Sequence, residues 1–370
     1  MSVIDPKECE PPLSASGSKA TPVTLLTGFL GSGKTTLLND LLADPRMRET
    51  AVVINEFGSV AVDHDLIHEG REGYITTSTG CLCCTATSDV RESLHELHAA
   101  RERGNIPDFK RVIIETTGLA DPAPIINSLI PGGAPAIGLR DHIVARAFQL
   151  TGVITAFDAE HGAANIGEHF ECWKQLAFAD HIVLTKTDLV SGVACKKDLS
   201  ALNPTAVIHD RQAPAFDPVP LFGTRVYSTT DKPEDVPGWL AMERFSDSDG
   251  HSHEHDPNRH GAGIKALPLF HDEPLDPGAV DRFLKIMTSQ PHAGLLRFKG
   301  IFALADDHSR PLVAHAVQHR LYPPVRLDYW PGIDVRSRAV VIGNNLPVEP
   351  IKDLFDALRP KQRRRWFSRT

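Results

Sequence analysis

Three things are scarce in this chain, and each scarcity closes off a class of function. No run approaches the roughly 18 consecutive apolar residues of a membrane-spanning helix, so no membrane partner is expected. The first twenty residues are polar and hold Pro6, Pro11 and Pro12, unlike a secretory leader, and the chain is expected in the cytoplasm. Basic charge is outnumbered, 39 Lys and Arg against 47 Asp and Glu for a formal net charge of -8. Nothing therefore draws the whole molecule to a phosphate backbone, and no nucleic-acid partner is expected. The basic cluster of Lys361, Arg363, Arg364, Arg365 and Arg369 reads as a solvated tail at 361–370. Cysteine is the third scarcity, since six in 370 residues make no disulfide framework. Cys81, Cys83 and Cys84 nevertheless fall together, which in a reducing compartment points to metal or redox chemistry.

The remainder is ordinary globular material, 41% hydrophobic and 23% charged, enough to bury more than one core. Residues 22–27, 51–54, 111–114, 151–154 and 181–184 are short, continuous apolar runs, the pattern of strands covered on both faces of a parallel sheet. A helix over 34–42 follows the first. After a disordered leader at 1–20, residues 21–230 thus read as one α/β domain. Over 231–263 Pro, Gly, Asp and Ser replace the periodicity, and His251, His253, His255 and His260 alternate with acidic residues. This is a linker, and its imidazoles would bind transition metals weakly and exchange them fast, or stay simply solvated. Beyond it, strands over 264–270, 294–305, 312–317 and 338–342 and helices over 277–289 and 350–358 make a smaller α+β domain, 264–360.

The chemistry sits at four places. Gly28-Phe29-Leu30-Gly31-Ser32-Gly33-Lys34-Thr35 has the spacing of a phosphate-binding loop between a predicted strand and a predicted helix. In such a loop Gly28, Gly31, Ser32 and Gly33 turn backbone N–H groups toward phosphate oxygens, Lys34 reaches the terminal phosphates and the Thr35 hydroxyl ligates Mg2+. Thr36 completes it. Thr185-Lys186-Thr187-Asp188 follows a strand end, where the Asp188 carboxylate would accept from both N1–H and the exocyclic amine of guanine. That favours GTP over ATP; Lys186 would cover the base plane, and Thr185 stands where guanine loops more often have Asn. Glu115-Thr116-Thr117-Gly118 ends another apolar run, placing a carboxylate to hold Mg2+ through water and a glycine whose N–H approaches the γ-phosphate. In Gly80-Cys81-Leu82-Cys83-Cys84, three thiolates would converge on one soft or borderline ion if the backbone turns. A fourth ligand would be water, His64 or His68, a carboxylate, or a group on a target protein.

Together these residues resemble the CobW/HypB/UreG class of metallochaperone GTPases, in its CobW-like branch. The resemblance spans about residues 21 to 360. It adds Asn55-Glu56-Phe57-Gly58 with Asp63, Arg297-Phe298-Lys299-Gly300, and Trp330-Pro331 to the motifs above. It implies a P-loop NTPase domain with a mostly parallel sheet, and a GTP-hydrolysing protein that binds a divalent metal at Cys81, Cys83 and Cys84. Zn2+ is the metal that the resemblance first suggests, with Co2+ an alternative. It further implies delivery to an apo-metalloprotein client, which the C-terminal domain is expected to recognise because the nucleotide domain already accounts for the chemistry, and a homodimer stays open. Lys34 and Glu115 would then serve catalysis, and Glu56 and Asp63 are the candidates for handling the attacking water, since no Gln follows Gly118. Many relatives carry acidic residues where this chain has Ile54 and Ser59, so a metal site using those carboxylates is absent. A metal buffer with nucleotide as a folding ligand and a P-loop kinase of a small metabolite are the competing readings.

Overall fold

The apolar runs form strands because nothing else buries them on both sides. The computed structural model describes residues 20–55, 74–79, 86–130, 136, 138–190, 193–222, 264–289 and 294–358. Strand β1 (Thr21–Thr27) is buried almost throughout, and β2 (Thr50–Asn55), β4 (Arg111–Thr116), β5 (Phe148–Asp158) and β6 (His181–Thr185) extend the predicted runs by a few residues. Two further strands were not expected, β3 (Tyr74–Thr79) and β7 (Val207–Asp210). They are the outermost strands, paired on one side only, and a threonine- and histidine-bearing edge carries no continuous apolar run. Among the described residues the sheet has seven strands in the order β3-β2-β4-β1-β5-β6-β7, every neighbouring pair parallel.

That order places the site. From β1 the chain first moves to one side through β2, β3 and β4, then crosses to the other through β5, β6 and β7, so the direction of winding reverses at β1. In open parallel sheets ligands bind in the crevice outside the carboxyl ends at such a reversal. Helix α1 (Lys34–Ala43) covers one face, packing Leu37, Leu38, Leu41 and Leu42 with Leu26, Val52, Ile113, Ile154 and Val183. Helices α2 (Ala86–Glu102), α3 (Pro122–Leu129), α4 (Leu139–Ala147), α5 (Gly162–Glu168), α6 (Phe170–Ala177) and α7 (Val193–Leu202) complete the domain.

The C-terminal part is an antiparallel sheet of β8 (Ile264–His271), β9 (Leu295–Leu304), β10 (Asp307–Val317), β11 (Arg320–Leu321), β12 (Val325–Arg326) and β13 (Ser337–Asn344). One face packs on α8 (Pro277–Ser289) and α9 (Val348–Asp356) through Phe283, Leu284, Phe298, Phe302, Ile351 and Phe355. Helix α9 starts two residues earlier than expected because Pro350 falls in its first turn, where no N–H is needed. Strand β10 begins before the apolar run at Leu312, with exposed Ser309 and Arg310 in its first turn out of the hairpin.

The other face of this sheet is also covered. Leu296, Ile301, Val313, Val340 and Ile342 belong to one continuous core with Ile125, Leu176, Phe178 and Leu199 of the nucleotide-loop domain. Strand β9 is consequently buried at all ten positions, including Arg297 and Lys299. Their charges meet the buried Asp180, ion-paired to Arg297 and 3.6 Å from Lys299. Burial alone would raise the Asp180 carboxyl, but the Arg297 and Lys299 cations and the Val153 N–H hold it below the ordinary carboxylate range. Among the described residues no helix is long and apolar enough to cross a membrane.

Candidate functional site

Four loops meet at the carboxyl edge of the parallel sheet, one after each of β1, β4, β5 and β6. After β1 the backbone turns through Gly28, Gly31 and Gly33 at φ 142°, 70° and 85°, and Ser32 N donates to Phe29 O at 3.1 Å. The buried Lys34 curls over its own loop, its Nζ donating to the carbonyls of Gly28 (2.9 Å) and Phe29 (3.0 Å). Thr35 lies in the first turn of α1, where the helix dipole favours an anion. Its hydroxyl donates to Glu115 Oε1 at 2.7 Å, so β4 and the first turn of α1 bring the two expected Mg2+ groups together. Both are hard oxygen donors of the kind Mg2+ selects. Thr116 Oγ1 to Thr27 Oγ1 at 2.8 Å ties the two strand ends beneath them. Thr36 is exposed on the outer side of the helix.

After β4 the chain lies directly on the phosphate loop. A Cβ added to Gly118 would fall 2.5 Å from Leu30 N and 2.7 Å from Leu30 Cα, so only glycine allows this approach. The buried Gln175 of α6 supports the loop from behind, its Nε2 donating to Gly118 O (3.0 Å) and Ala120 O (3.2 Å). Lys174 Nζ pairs with Asp121 at 2.7 Å, and Asp121 caps α3 through Ala123 N. Ser32, Thr155, Cys172 and Gln175 also line a cavity of about 10 Å³ under the phosphate loop.

At the end of β6, Thr185 is buried and its hydroxyl is shared between Ser32 O (2.8 Å) and Phe157 O (3.2 Å). The residue that replaces the more usual Asn thus anchors the phosphate loop to β6. Lys186 adopts φ 58° and its ammonium meets Asp158 Oδ2 at 2.7 Å. Burial pushes the Asp158 carboxyl up, but Lys186 and the N–H groups of His161 and Glu160 more than offset this and leave it low. Asp188 is exposed and accepts from Gln212 Nε2 at 3.1 Å, with Leu189 standing exposed beside it. The loops after β1, β4 and β6 therefore bring together Gly28, Gly31, Ser32, Gly33, Lys34, Thr35, Glu115, Gly118 and Thr185, while Lys186 and Asp188 follow on the β6 loop against Asp158 and Gln212.

Glu56, Asp63, Cys81, Cys83 and Cys84 lie outside the described residues, as do Ser59, His64, His68 and the spans 231–263 and 361–370. The two cysteines that are described are packing residues, Cys172 buried and Cys195 half-buried against the core; burial pushes the Cys172 thiol up to about 12 and raises Cys195 as well. Asp158, Glu160 and His161 approach one another at the end of β5, but Asp158 is already engaged by Lys186 and by two backbone N–H groups. Sequence reasoning missed Asp158 and Gln175. The first had a positional signal, as a carboxylate at a carboxyl strand end; the second had none, because its partners lie more than fifty residues away.

With this geometry in place, the comparisons with known proteins are specific. The sequence profile described as CobW/HypB/UreG, nucleotide-binding domain, matches residues 22–210. That of the cobalamin synthesis protein cobW C-terminal domain matches residues 264–359. The zinc chaperone YjiA of Escherichia coli (strain K12) is 32% identical over 339 residues, 91% of this chain and 98% of that protein. The zinc-regulated GTPase metalloprotein activator 1 of Schizosaccharomyces pombe is 32% identical over 180 residues, 47% of this chain and 40% of that one. Among solved structures, Zn(II)-bound YjiA GTPase from E. coli matches with a TM-score of 0.67 at 28% identity, covering 92% of this chain and all of that one.

Proposed function

The chain belongs to the CobW/HypB/UreG family, and from that premise we propose that it is a GTP-dependent zinc metallochaperone, loading metal at Cys81, Cys83 and Cys84 and releasing it to an apo-metalloprotein client under nucleotide control. It is a GTPase. The observation that carries the reading is the Thr35 to Glu115 contact beneath a phosphate loop already closed around Lys34. Related proteins of this architecture are named zinc chaperones and zinc-regulated GTPases, which supports zinc as the cargo.

In this mechanism the backbone N–H groups of residues 28–33 and the start of α1 bind the phosphates, and Lys34 shifts its ammonium from the loop carbonyls to the terminal phosphate oxygens. Thr35 would hold Mg2+ directly and Glu115 through water; when bound, the ion neutralises charge on the β- and γ-phosphates. The N–H of Gly118 reads the γ-phosphate, since that loop already rests on Leu30. Glu56 and Asp63 are the candidates for orienting the attacking water. Asp188 selects guanine, and Thr185 and Lys186 hold that loop in register with the phosphate loop and with Asp158. A client surface is supported by the segment before β13, where Asp334 accepts from the backbone and side chain of Arg336 and Trp330 Nε1 donates to His308 O. That bracing holds Tyr329, Ile333 and Val335 exposed, Ile333 at 97%.

The decisive measurement is Zn2+ affinity by chelator competition, with Mg2+ and either a non-hydrolysable GTP analogue or GDP. Binding about tenfold or more tighter in the GTP-analogue state, and lost in Cys83→Ser, is the expected result. Equal affinity in both states removes nucleotide gating, because a ligand without differential affinity shifts nothing. Base selection has its own test. Asp188→Asn exchanges an acceptor for a donor, so GTP affinity should fall by about a hundredfold or more while xanthosine triphosphate, whose C2 carbonyl accepts that donor, gains. Unchanged affinities for both nucleotides would remove Asp188 from the base site.

A further inference from the structure

Helix α6 touches the two nucleotide loops and the C-terminal sheet at once. At its start His169, its N-cap, stacks on Phe29 of the phosphate loop with ring centroids 4.7 Å apart. Farther along, Gln175 holds the carbonyls of Gly118 and Ala120, and Lys174 holds Asp121. Thr155 Oγ1 donates to Gln175 O at 2.7 Å, fixing this turn on β5. Less than one helical turn beyond Gln175 the chain reaches the C-terminal domain. There Arg297 of β9 donates to Phe178 O and Ala179 O and pairs with Asp180, with Lys299 beside it. Asn203 Nδ2 closes the same turn through Leu176 O and Ala179 O, at 2.8 and 2.9 Å.

We propose that α6 is a strut through which the C-terminal sheet sets the position of the loop at Gly118, so that a protein docked on the C-terminal domain changes the rate of GTP hydrolysis. Gln175 is the positioning residue at one end and Arg297 the fastening at the other. The proposal rests on the reading of Gly118 as the γ-phosphate loop. Its physical warrant is that both ends are buried and polar. A carbonyl or carboxylate there cannot slide gradually from its donor without losing a desolvated hydrogen bond, so movement of β9 is passed on to Phe178 and Gln175 rather than absorbed. The arrangement also gives Arg297 and Lys299, charged residues in an otherwise apolar strand, a task beyond satisfying Asp180.

The test uses the full chain with Gln175→Met, which keeps the length but removes the amide, Lys174→Met at the partly exposed tie, and Arg297→Lys, which keeps the charge but not the fork. Each is assayed for kcat and KM with GTP, for affinity toward GDP and toward a non-hydrolysable GTP analogue, and for its melting temperature. Gln175→Met should lower kcat by about tenfold or more and weaken the GTP analogue while leaving GDP binding intact. Lys174→Met should do the same to a smaller degree, at a site where folding is not in question. Arg297→Lys, remote from the nucleotide, should lower kcat by about threefold or more and add nothing in the Gln175→Met background. Independent, multiplying effects, or a silent Arg297→Lys in a folded protein, overturn the strut. Gly118→Ala separates the two layers. If it retains the discrimination between GTP analogue and GDP, the γ-phosphate reading fails and the strut with it. If it loses discrimination while Arg297→Lys is silent, the strut alone fails.

Discussion

Between pH 6.5 and pH 4 the folded protein is expected to lose stability at up to about 3 kcal/mol per pH unit, from two imidazoles alone. His181 at the start of β6 and His209 on β7 lie ring to ring, His181 Nδ1 and His209 Nε2 3.1 Å apart. Burial pushes both down to about 4; the neighbouring Asp180 opposes this at His181, while Lys299 and Arg297 reinforce it. In the unfolded chain both titrate near 6.5. Above that pH neither state holds the protons and the full stability is present. As the pH falls below it, the unfolded chain takes up protons that the folded protein refuses, until the folded rings titrate near 4. His98 and His315 are shifted the same way, His315 also facing Lys299, Arg297 and Asp180, and steepen the loss. Asp180 does not blur this window. Its lowered carboxyl contributes stability that is present above the unfolded carboxylate range, near 3.9, and is lost only as the pH drops further through its folded value. Urea unfolding followed by tryptophan fluorescence at a series of pH values reads the slope directly. His209→Phe, next to Phe216, should remove about half of the two-histidine slope. A flat profile between pH 6.5 and 4.5 would show that the pair is charged in the folded state.

The elements that were legible in the sequence are those whose cause is local. The phosphate loop is a spacing of glycines with a strand before it and a helix after, and its residues fall where that spacing puts them. The five apolar runs became strands of one parallel sheet because continuous burial needs cover on both faces. What was not legible depends on the second layer. Arg297 and Lys299 alternate with Leu296, Phe298 and Gly300, a pattern that by default turns its charges to solvent. Here α3, α6 and α7 cover that face, and the charges find Asp180, more than a hundred residues earlier in the chain. Thr185 carries the same lesson in the site. At the end of β6 it reads as part of a base-binding loop, yet its hydroxyl faces inward to Ser32 O, because β6 passes behind the phosphate loop. No spacing rule announces Gln175, whose significance is set by the carbonyls of Gly118 and Ala120 arriving beside it.

Gly28→Ala is expected to abolish GTP binding, whereas Gly31→Ala, three residues on, should leave it largely intact. Both positions have positive φ, so composition and spacing treat them alike, but 70° at Gly31 is left-handed helical and costs an alanine about 1–2 kcal/mol, whereas 142° at Gly28 lies where essentially only glycine goes. They differ further in what a methyl group would meet. At Gly28 a Cβ would lie 2.3 Å from the carbonyl oxygen of Ala156 and 2.7 Å from Ser32 Oγ, and at Gly31 nothing stands within 4 Å. The Ala156 carbonyl belongs to β5, one residue past the pairing with β1 and in register with Val183 of β6, so it cannot retreat without disturbing the centre of the sheet. The phosphate loop must move instead. Lys34, anchored on Gly28 O, moves with it, and so does the N–H cradle on which phosphate binding depends. Titration with a fluorescent GTP analogue, with a melting curve for each variant, separates the two costs. Gly31→Ala should lose up to about 2 kcal/mol of stability at most and bind nucleotide within roughly tenfold of the parent. Gly28→Ala should bind none at micromolar protein and melt earlier. Equal losses at the two positions would mean that backbone torsion, rather than contact with β5, governs the shape of this loop.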